Sequence, residues 1–337
     1  MKNITQTNTN KLDVINYLRG FSITTIVLMH LLQSYSTNEF LTKVSSFGGA
    51  GVHTFILCSG FGLYYSYLRK PLSYKQFLKR RFTKVYIPYI LIIITSAIIP
   101  FYNTSEEKWI ELLSHVFLFK MFIEKWECSY GGQFWFVSTI IQFYICWPII
   151  IKLYKKSNVT IAVFISLSWA ILTTTLGLSE ERIWNSFFLQ YLWEFVLGMW
   201  LANLYFKQPS KFIIPSYKKL IPISILGVLL TGITGYYGGG LKSFNDIPSL
   251  FGYLSIALIV YKLAINFINS FFSYTNIISY EWYLIHYLIF GCCTYYLNQI
   301  NCSTILQAII GLFTSYLSAI IFHQILLLMK FIQKNKH

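Results

Sequence analysis

Two ionisable residues lie inside the first apolar stretch of the chain, in the run LRGFSITTIVLMH. They are Arg19 and His30. At about 100° per residue, this spacing comes within about 20° of three full turns, so both side chains lie on one helix face, about 16 Å apart along the axis. An ionisable residue inside a membrane is a candidate for function. The same pattern would result from an Arg whose charged end reaches the membrane surface and a His that is hydrogen-bonded for structural reasons. The spacing alone therefore leaves the functional and the structural interpretation open.

A dense basic cluster precedes the third apolar stretch, in the run KRRFTKVYIP. It includes Arg80, Arg81 and Lys84. Arg binds a phosphate with paired hydrogen bonds and Lys binds it as a point charge, so this cluster is suited to grip a phosphorylated ligand in the cytoplasm. Basic clusters at such places also orient membrane proteins, and both interpretations stay open.

Further polar residues interrupt later apolar stretches. Glu194 has no charged neighbour within a turn, so we expect it to pair with another helix or to be protonated. Tyr283 and His286 are three residues apart and therefore neighbours on a helix surface. No phosphate-binding loop, HExxH motif or GxSxG motif is present, and no cysteine spacing is typical of a metal site. We expect a site built from His, Arg, Glu and Tyr of several helices, with no metal.

The composition predicts the setting in which these residues are held. Of 337 residues, 55% are hydrophobic and 12% are charged, whereas about 25% are charged in a soluble domain. A soluble protein of this length could not bury so much apolar surface in its core, and lipid must cover it. The chain is therefore predicted to be an integral membrane protein.

A membrane-crossing helix needs about 20 mostly apolar residues, and we predict an all-α membrane protein with about ten transmembrane helices. Gly51 and Gly60 in the second span would let a neighbouring helix approach closely. Segment 109–123 is apolar but short, and we expect an interfacial or re-entrant helix there. The predicted spans are 12–35, 47–68, 85–101, 134–153, 159–178, 186–206, 220–236, 247–265, 277–297 and 304–332.

The charged residues predict the orientation. With a cytoplasmic N-terminus and ten crossings, 20 of the 27 basic residues lie in cytoplasmic segments and nine of the 12 acidic residues lie outside. This distribution follows the positive-inside rule and predicts that both termini are cytoplasmic. It also accounts for the net charge of +15 as a topology signal that attracts anionic lipid, so we expect no nucleic-acid partner. We expect one transmembrane domain over 11–333, with a disordered cytoplasmic tail at 1–10 and a short cytoplasmic tail at 334–337.

Six runs, in order along almost the whole chain, resemble the integral membrane acyltransferase family 3. Arg19 and His30 have the spacing of the family's first-span pair, and FILCSGF, which contains Ser59, resembles its FFVLSGF. KRRFTKVYIPY resembles its RxxR stretch, with Lys84 in place of the second Arg, and GGQFWFVS, with Trp135, resembles its WFL segment. WEFVLGM and SYEWYLIH resemble its PEFLLGM and S-x-x-x-YLIH.

The resemblance implies transfer of an acyl group, most often acetyl, from acetyl-CoA in the cytoplasm to a hydroxyl of an extracytoplasmic or lipid-linked glycan, in a bacterial cell membrane. Acetyl-CoA would be a co-substrate, and no cofactor would be permanently bound. The resemblance is to the stand-alone form of the family, which has no esterase-like C-terminal domain. Arg80, Arg81 and Lys84 would hold the CoA phosphates, and Arg19 would steady the thioester end. His30 would act as a general base or carry the acyl group transiently. Supporting roles fall to Glu194, Ser59, Tyr283, His286 and Trp135.

Two other classes of protein are consistent with intramembrane charges. A transporter or flippase for a lipid-linked sugar would use them as a substrate path, but no inverted repeat or pair of interrupted helices is visible. A non-catalytic scaffold would not need Arg19, His30 and Glu194 in lipid. The acceptor, the choice of acetyl or succinyl, and the oligomeric state stay open.

Overall fold

The computed structural model describes residues 2–102, 104–263 and 265–334. These ranges form α-helices joined by loops and short 3₁₀ turns, without a strand, so the predicted all-α class is confirmed for them. The helices are α1 Lys2–Tyr35, α2 Glu39–Ser45, α3 Gly51–Arg69, α4 Tyr74–Ile98, α5 Lys108–Val116, α6 Trp135–Ile145, α7 Trp147–Ser157, α8 Thr160–Thr175, α9 Arg182–Asn185, α10 Leu192–Lys207, α11 Tyr217–Tyr237, α12 Asp246–Lys262, α13 Asn266–Thr275, α14 Ser279–Gln299 and α15 Thr304–Lys334.

Four helices of the described chain are long and apolar enough to cross a membrane, namely α1 from Leu12, α4, α11 and α15 up to Ile332. A fifth span results if α6 and α7, which meet at a bend of 67°, count as one. Pro148 lies in the first turn of α7 and cannot donate to the α6 hydrogen-bond ladder, which explains the break. The described part of the chain is therefore all-helical, and its four or five helices of sufficient length and apolarity indicate a multi-pass membrane protein.

The other five predicted spans fall on α3, α8, α10, α12 and α14, which have between 16 and 21 residues. A helix of 16 residues is about 24 Å long, shorter than the ~30 Å hydrocarbon layer. Several of these helices also carry polar residues that face the interior. The number ten and the cytoplasmic placement of both termini stay predictions.

Segment 109–123 forms α5, a helix of nine residues, and a 3₁₀ turn at Lys120–Phe122. Nine residues rise about 14 Å, too little to cross a membrane. This agrees with an interfacial or re-entrant helix. At the N-terminus, α1 begins at Lys2 and so includes residues 2–10, where the sequence predicts a tail; disorder in that tail stays a prediction. The short C-terminal tail lies mostly outside the described residues.

Three helices with candidate site residues run in the same direction. The Tyr280 hydroxyl at the start of α14 donates to the Val85 carbonyl of α4 at 2.7 Å. Towards the other end, the Tyr35 hydroxyl of α1 donates to the Phe290 carbonyl of α14 at 3.0 Å. Beyond α4, the Tyr102 ring packs against Gly291. Helices α1, α4 and α14 are therefore parallel.

Helices α3 and α10 are held together by direct backbone contact. A Cβ atom added to Gly60 would collide with the Phe195 carbonyl, and one added to Gly198 would collide with the Leu57 carbonyl. Small residues permit such close packing between membrane helices. The close approach expected at Gly60 is present, and it fixes α3 as one wall of the site described next.

Candidate functional site

A cavity of about 270 Å³ lies between α1, α3, α4, α6 and α14. Five of the residues singled out in the sequence line it: Arg19, Ser59, Arg81, Lys84 and Tyr283. Arg80, whose side chain is exposed, does not line it. The cavity is also lined by Tyr144, Ser279 and Tyr280, which the sequence interpretation did not single out.

None of the three cations of this cavity forms an ion pair with the described residues, and the charge of Glu281 acts on Lys84 only from a greater distance. The ion pairs of the described residues involve other groups, and none includes Arg19, Arg81 or Lys84. The guanidinium of Arg19 lies 6.0 Å from the Phe55 ring centre. The buried Nε of Arg81 has no hydrogen-bond partner among the described residues. Unpaired charge is costly away from water, so this end of the cavity is suited to an anionic ligand.

Ser59 contributes little polar chemistry of its own. Its hydroxyl donates to the Phe55 carbonyl, one turn earlier in α3, at 2.8 Å. That bond satisfies the hydroxyl within its own helix. Ser59 therefore serves mainly as a small side chain that leaves room in the cavity.

His30 and His286 form a pair, although 256 positions separate them in the chain. Nδ1 of His30 lies 2.9 Å from Nε2 of His286, and the two rings lie edge to edge with centres 5.1 Å apart and planes inclined by 8°. Tyr287 packs against the His30 ring at 4.7 Å. The contact joins α1 to α14, so the shared helix face predicted for Arg19 and His30 also faces α14.

The hydrogen bonds of this pair determine which nitrogens carry hydrogen. Nδ1 of His286 lies 3.0 Å from the Trp282 carbonyl, and a carbonyl only accepts, so this nitrogen carries the hydrogen. In a neutral ring the Nε2 of His286 is then an acceptor, and Nδ1 of His30 must donate to it. The Nε2 of His30 is left with a free lone pair. None of the described hydrogen bonds involves that atom.

The histidine pair lies just beyond the deep end of the cavity. Ile26 and Tyr283 line the cavity and precede His30 and His286 by about one helical turn each, a rise of about 4.5–6 Å. The Tyr283 hydroxyl donates to the Gln133 carbonyl, which ties α14 to the start of α6. The cations and the pair therefore lie along one path.

Glu194 and Trp135 lie on another side of the helix bundle. Oε1 of Glu194 lies 2.7 Å from Nδ1 of His53 in α3, which confirms that Glu194 pairs with another helix. Trp135 packs against Tyr191 at 5.9 Å and beneath the Arg182 guanidinium at 5.6 Å. Neither residue lines the cavity, so their position supports the packing of α3, α6 and α10.

A second, polar pocket of about 350 Å³ lies at the opposite end of α4 and α6 from the cations. Behind it, the Tyr89 hydroxyl lies 2.5 Å from Nδ1 of His115, and Nε2 of His115 lies 2.8 Å from the Ser129 hydroxyl. Burial lowers the pKa of His115 and lowers that of Lys120 to about 7. These buried contacts fix the loop that forms the pocket wall.

Comparison with known proteins gives one match. The family model described as an acyltransferase domain matches residues 12–324. No curated protein and no solved structure matches the chain. The matched range contains every residue that lines the cation cavity and both members of the histidine pair.

Proposed function

The chain belongs to the integral membrane acyltransferase family 3, and from this membership we propose that it transfers an acyl group, acetyl first among them, from acyl-CoA in the cytoplasm to a glycan hydroxyl outside. The acceptor is an extracytoplasmic or lipid-linked glycan of a bacterial cell envelope. The observation that carries the proposal is a cavity lined by three cations that form no ion pair with the described residues, with a histidine that has a free ring nitrogen about one helical turn beyond it.

The cations account for binding of the donor. CoA carries phosphate groups, and Arg81 and Lys84 at the cavity entrance would hold them by charge-assisted hydrogen bonds. Arg19, on α1, would lie along the pantetheine arm and near the thioester. Arg80 takes no part in this proposal, because it lies outside the cavity. Lys84 supplies charge without the two-pronged geometry of an Arg.

His30 accounts for the reaction. The acceptor hydroxyl gives its proton to Nε2 of His30, and its oxygen attacks the thioester carbonyl carbon. The carbon–sulfur bond then breaks, and the CoA thiolate leaves and takes the proton from His30. An ester and free CoA are formed, and His30 returns to its neutral state. His286 holds His30 in the tautomer that has this free lone pair, much as the third member of a catalytic triad holds its histidine.

We further propose ten crossings with both termini in the cytoplasm. The distribution of basic residues supports this topology. The helix directions support it as well, because α1, α4 and α14 would be the first, third and ninth crossings and are parallel. Helix α15, the tenth, is antiparallel to α14, as contacts of Glu281 with His323 and of Asn298 with Gln307 require.

A measurement in cells tests the proposed activity. The ester content of envelope polysaccharide should fall when the protein is removed, and should return with the native gene but not with His30→Ala. The His30→Ala protein must be present in the membrane at the native level. Unchanged ester content in the absence of the protein would argue for another function.

A further inference from the structure

Gln133, in the 3₁₀ turn Gly132–Phe134 that leads into α6, has the least explained packing among the buried polar side chains of the described residues. It is 3% exposed, and neither its Oε1 nor its Nε2 has a hydrogen-bond partner among the described residues. A buried amide without partners costs stability. By contrast, the buried amide of Gln307 donates to Asn298 Oδ1 at 2.7 Å and to the Cys302 carbonyl at 2.8 Å.

The amide of Gln133 lies directly behind the wall of the second, polar pocket. We call this the outer pocket, because the proposed topology places its loop outside the membrane. Gly131 lines that pocket, and a Cβ atom at Gly131 would collide with Oε1 of Gln133. Gly131 has φ of +132°, a conformation that favours glycine. The glycine thus keeps the space between the amide and the pocket free of a side chain. No hydrogen bond holds the amide in place, so turning it towards a ligand breaks none.

Through its backbone, Gln133 also contacts α14, the helix that carries His286. Its backbone carbonyl accepts the hydroxyl of Tyr283, which lines the cation cavity one turn before His286. On the other side of His286, Gly291 contacts the ring of Tyr102, and Tyr102 lines the outer pocket. The histidine pair therefore lies between the cation cavity and the outer pocket, with Gln133 at the boundary.

We propose that the outer pocket is the acceptor site and that the Gln133 amide binds neighbouring hydroxyls of a sugar and positions one of them for His30. An amide carries a donor and an acceptor side by side, which matches the paired hydroxyls of a sugar ring. The Tyr102 and Tyr130 rings of the pocket present apolar faces for the sugar's C–H groups. This inference rests on the proposed function, since it names the acceptor class of that same site.

The test compares two apolar substitutions of buried glutamines in the full-length protein in lipid nanodiscs. Gln133→Met removes the unpaired amide, and Gln307→Met, the control, removes a paired one. The donor is labelled acetyl-CoA, and the acceptor is envelope polysaccharide from cells that carry the protein, stripped of esters by mild alkali. Label transfer is measured against acceptor concentration, together with acetyl-CoA binding and the melting temperature.

Gln133→Met should raise the KM for the polysaccharide about 10-fold or more, without weakening acetyl-CoA binding or lowering the melting temperature. Gln307→Met should lower the melting temperature and leave the polysaccharide KM unchanged. An unchanged polysaccharide KM in Gln133→Met, with the native protein active, overturns this inference alone. A Gln133→Met protein that fails to fold also overturns it, because the amide would then be structural. A native protein that neither binds nor consumes acetyl-CoA overturns the proposed function, and this inference with it.

Discussion

At the scale of single residues, three cations that form no ion pair with the described residues distinguish the donor cavity from an ordinary packed interior. Arg81→Ala or Lys84→Ala should raise the KM for acetyl-CoA about 10- to 100-fold, because each removes a charge-assisted bond to a phosphate. Arg80→Ala is the matched control, since Arg80 is the neighbouring basic residue but lies outside the cavity. Its KM should stay within about twofold of the native value.

Steady-state kinetics at two salt concentrations checks this prediction. Salt weakens binding that depends on exposed charge, so the native KM should rise with salt more than that of the Lys84→Ala variant. Lys84→Arg should keep the native KM, because the charge is retained. An equal loss in Arg80→Ala and Arg81→Ala would show that general surface charge, and not the cavity, attracts the donor.

His286 acts through His30 and not on the substrate. His286→Leu leaves Nδ1 of His30 without its acceptor and allows the tautomer that has no lone pair at Nε2. The kcat should fall by between about 10² and 10⁴, with the KM for acetyl-CoA unchanged. His286→Gln should recover part of the kcat, since its amide oxygen can accept the same hydrogen bond. A change in KM with native kcat would contradict this positioning role.

Most of the charged residues of the cavity could be predicted from the sequence, but the contacts between residues of different helices could not. The spacing of Arg19 and His30 placed them on one helix face, and the basic cluster supplied Arg81 and Lys84. The contact of His30 with His286 joins positions 256 apart, and a single sequence holds no record of which helices are neighbours. Gln133 lies in the run GGQFWFVS, but its residue type gave no reason to single it out, because a lone Gln beside apolar residues is ordinary at a helix start.

At the scale of elements, backbone contact between α3 and α10 holds one wall of the cavity. Gly60→Ala should destabilise the protein by about 1–3 kcal/mol, because the added methyl meets the Phe195 carbonyl, which cannot move without shifting α10. The control is Gly232→Ala in α11, where nothing lies within 4 Å of the added atom. The control should be neutral or slightly stabilising, since Ala favours a helix over Gly.

Melting temperatures of the two variants, measured by loss of the monodisperse peak on heating, check this packing. Equal melting temperatures for Gly60→Ala and the native protein would mean that α3 and α10 do not touch as described. The glycine pattern pointed to a close approach at Gly60, but it did not identify α10 as the partner.

Helix lengths show where sequence-based segmentation has less power. The sequence predicts spans over 159–178 and 186–206, yet the helices found there, α8 and α10, have only 16 residues each. Polar residues such as Ser166 and Glu194 are buried in these helices, where neighbouring helices and not lipid surround them. Between α6 and α7, Pro148 indicates the break in the helix. An average of hydropathy over the whole segment does not show it.

At the scale of the whole molecule, ten crossings predict which loops lie outside the cell. Single cysteines at Asn38 and Asn301 should react with a membrane-impermeant maleimide in intact cells, in a variant whose six native cysteines are replaced. Cysteines at Ser73 and Gln208 should react only after the membrane is opened. All four positions are exposed, so access and not burial decides the result. Labelling of the Ser73 position in intact cells would rule out this topology.

The most direct test of the account is acyl transfer by the purified protein with and without His30. In lipid nanodiscs, the native protein should release CoA from labelled acetyl-CoA and place the label on de-esterified envelope polysaccharide. His30→Ala should still bind acetyl-CoA and keep the native melting temperature, but should transfer about 10²- to 10⁴-fold more slowly, the range for loss of a general base. Transfer at the native rate by a folded His30→Ala protein would contradict the account.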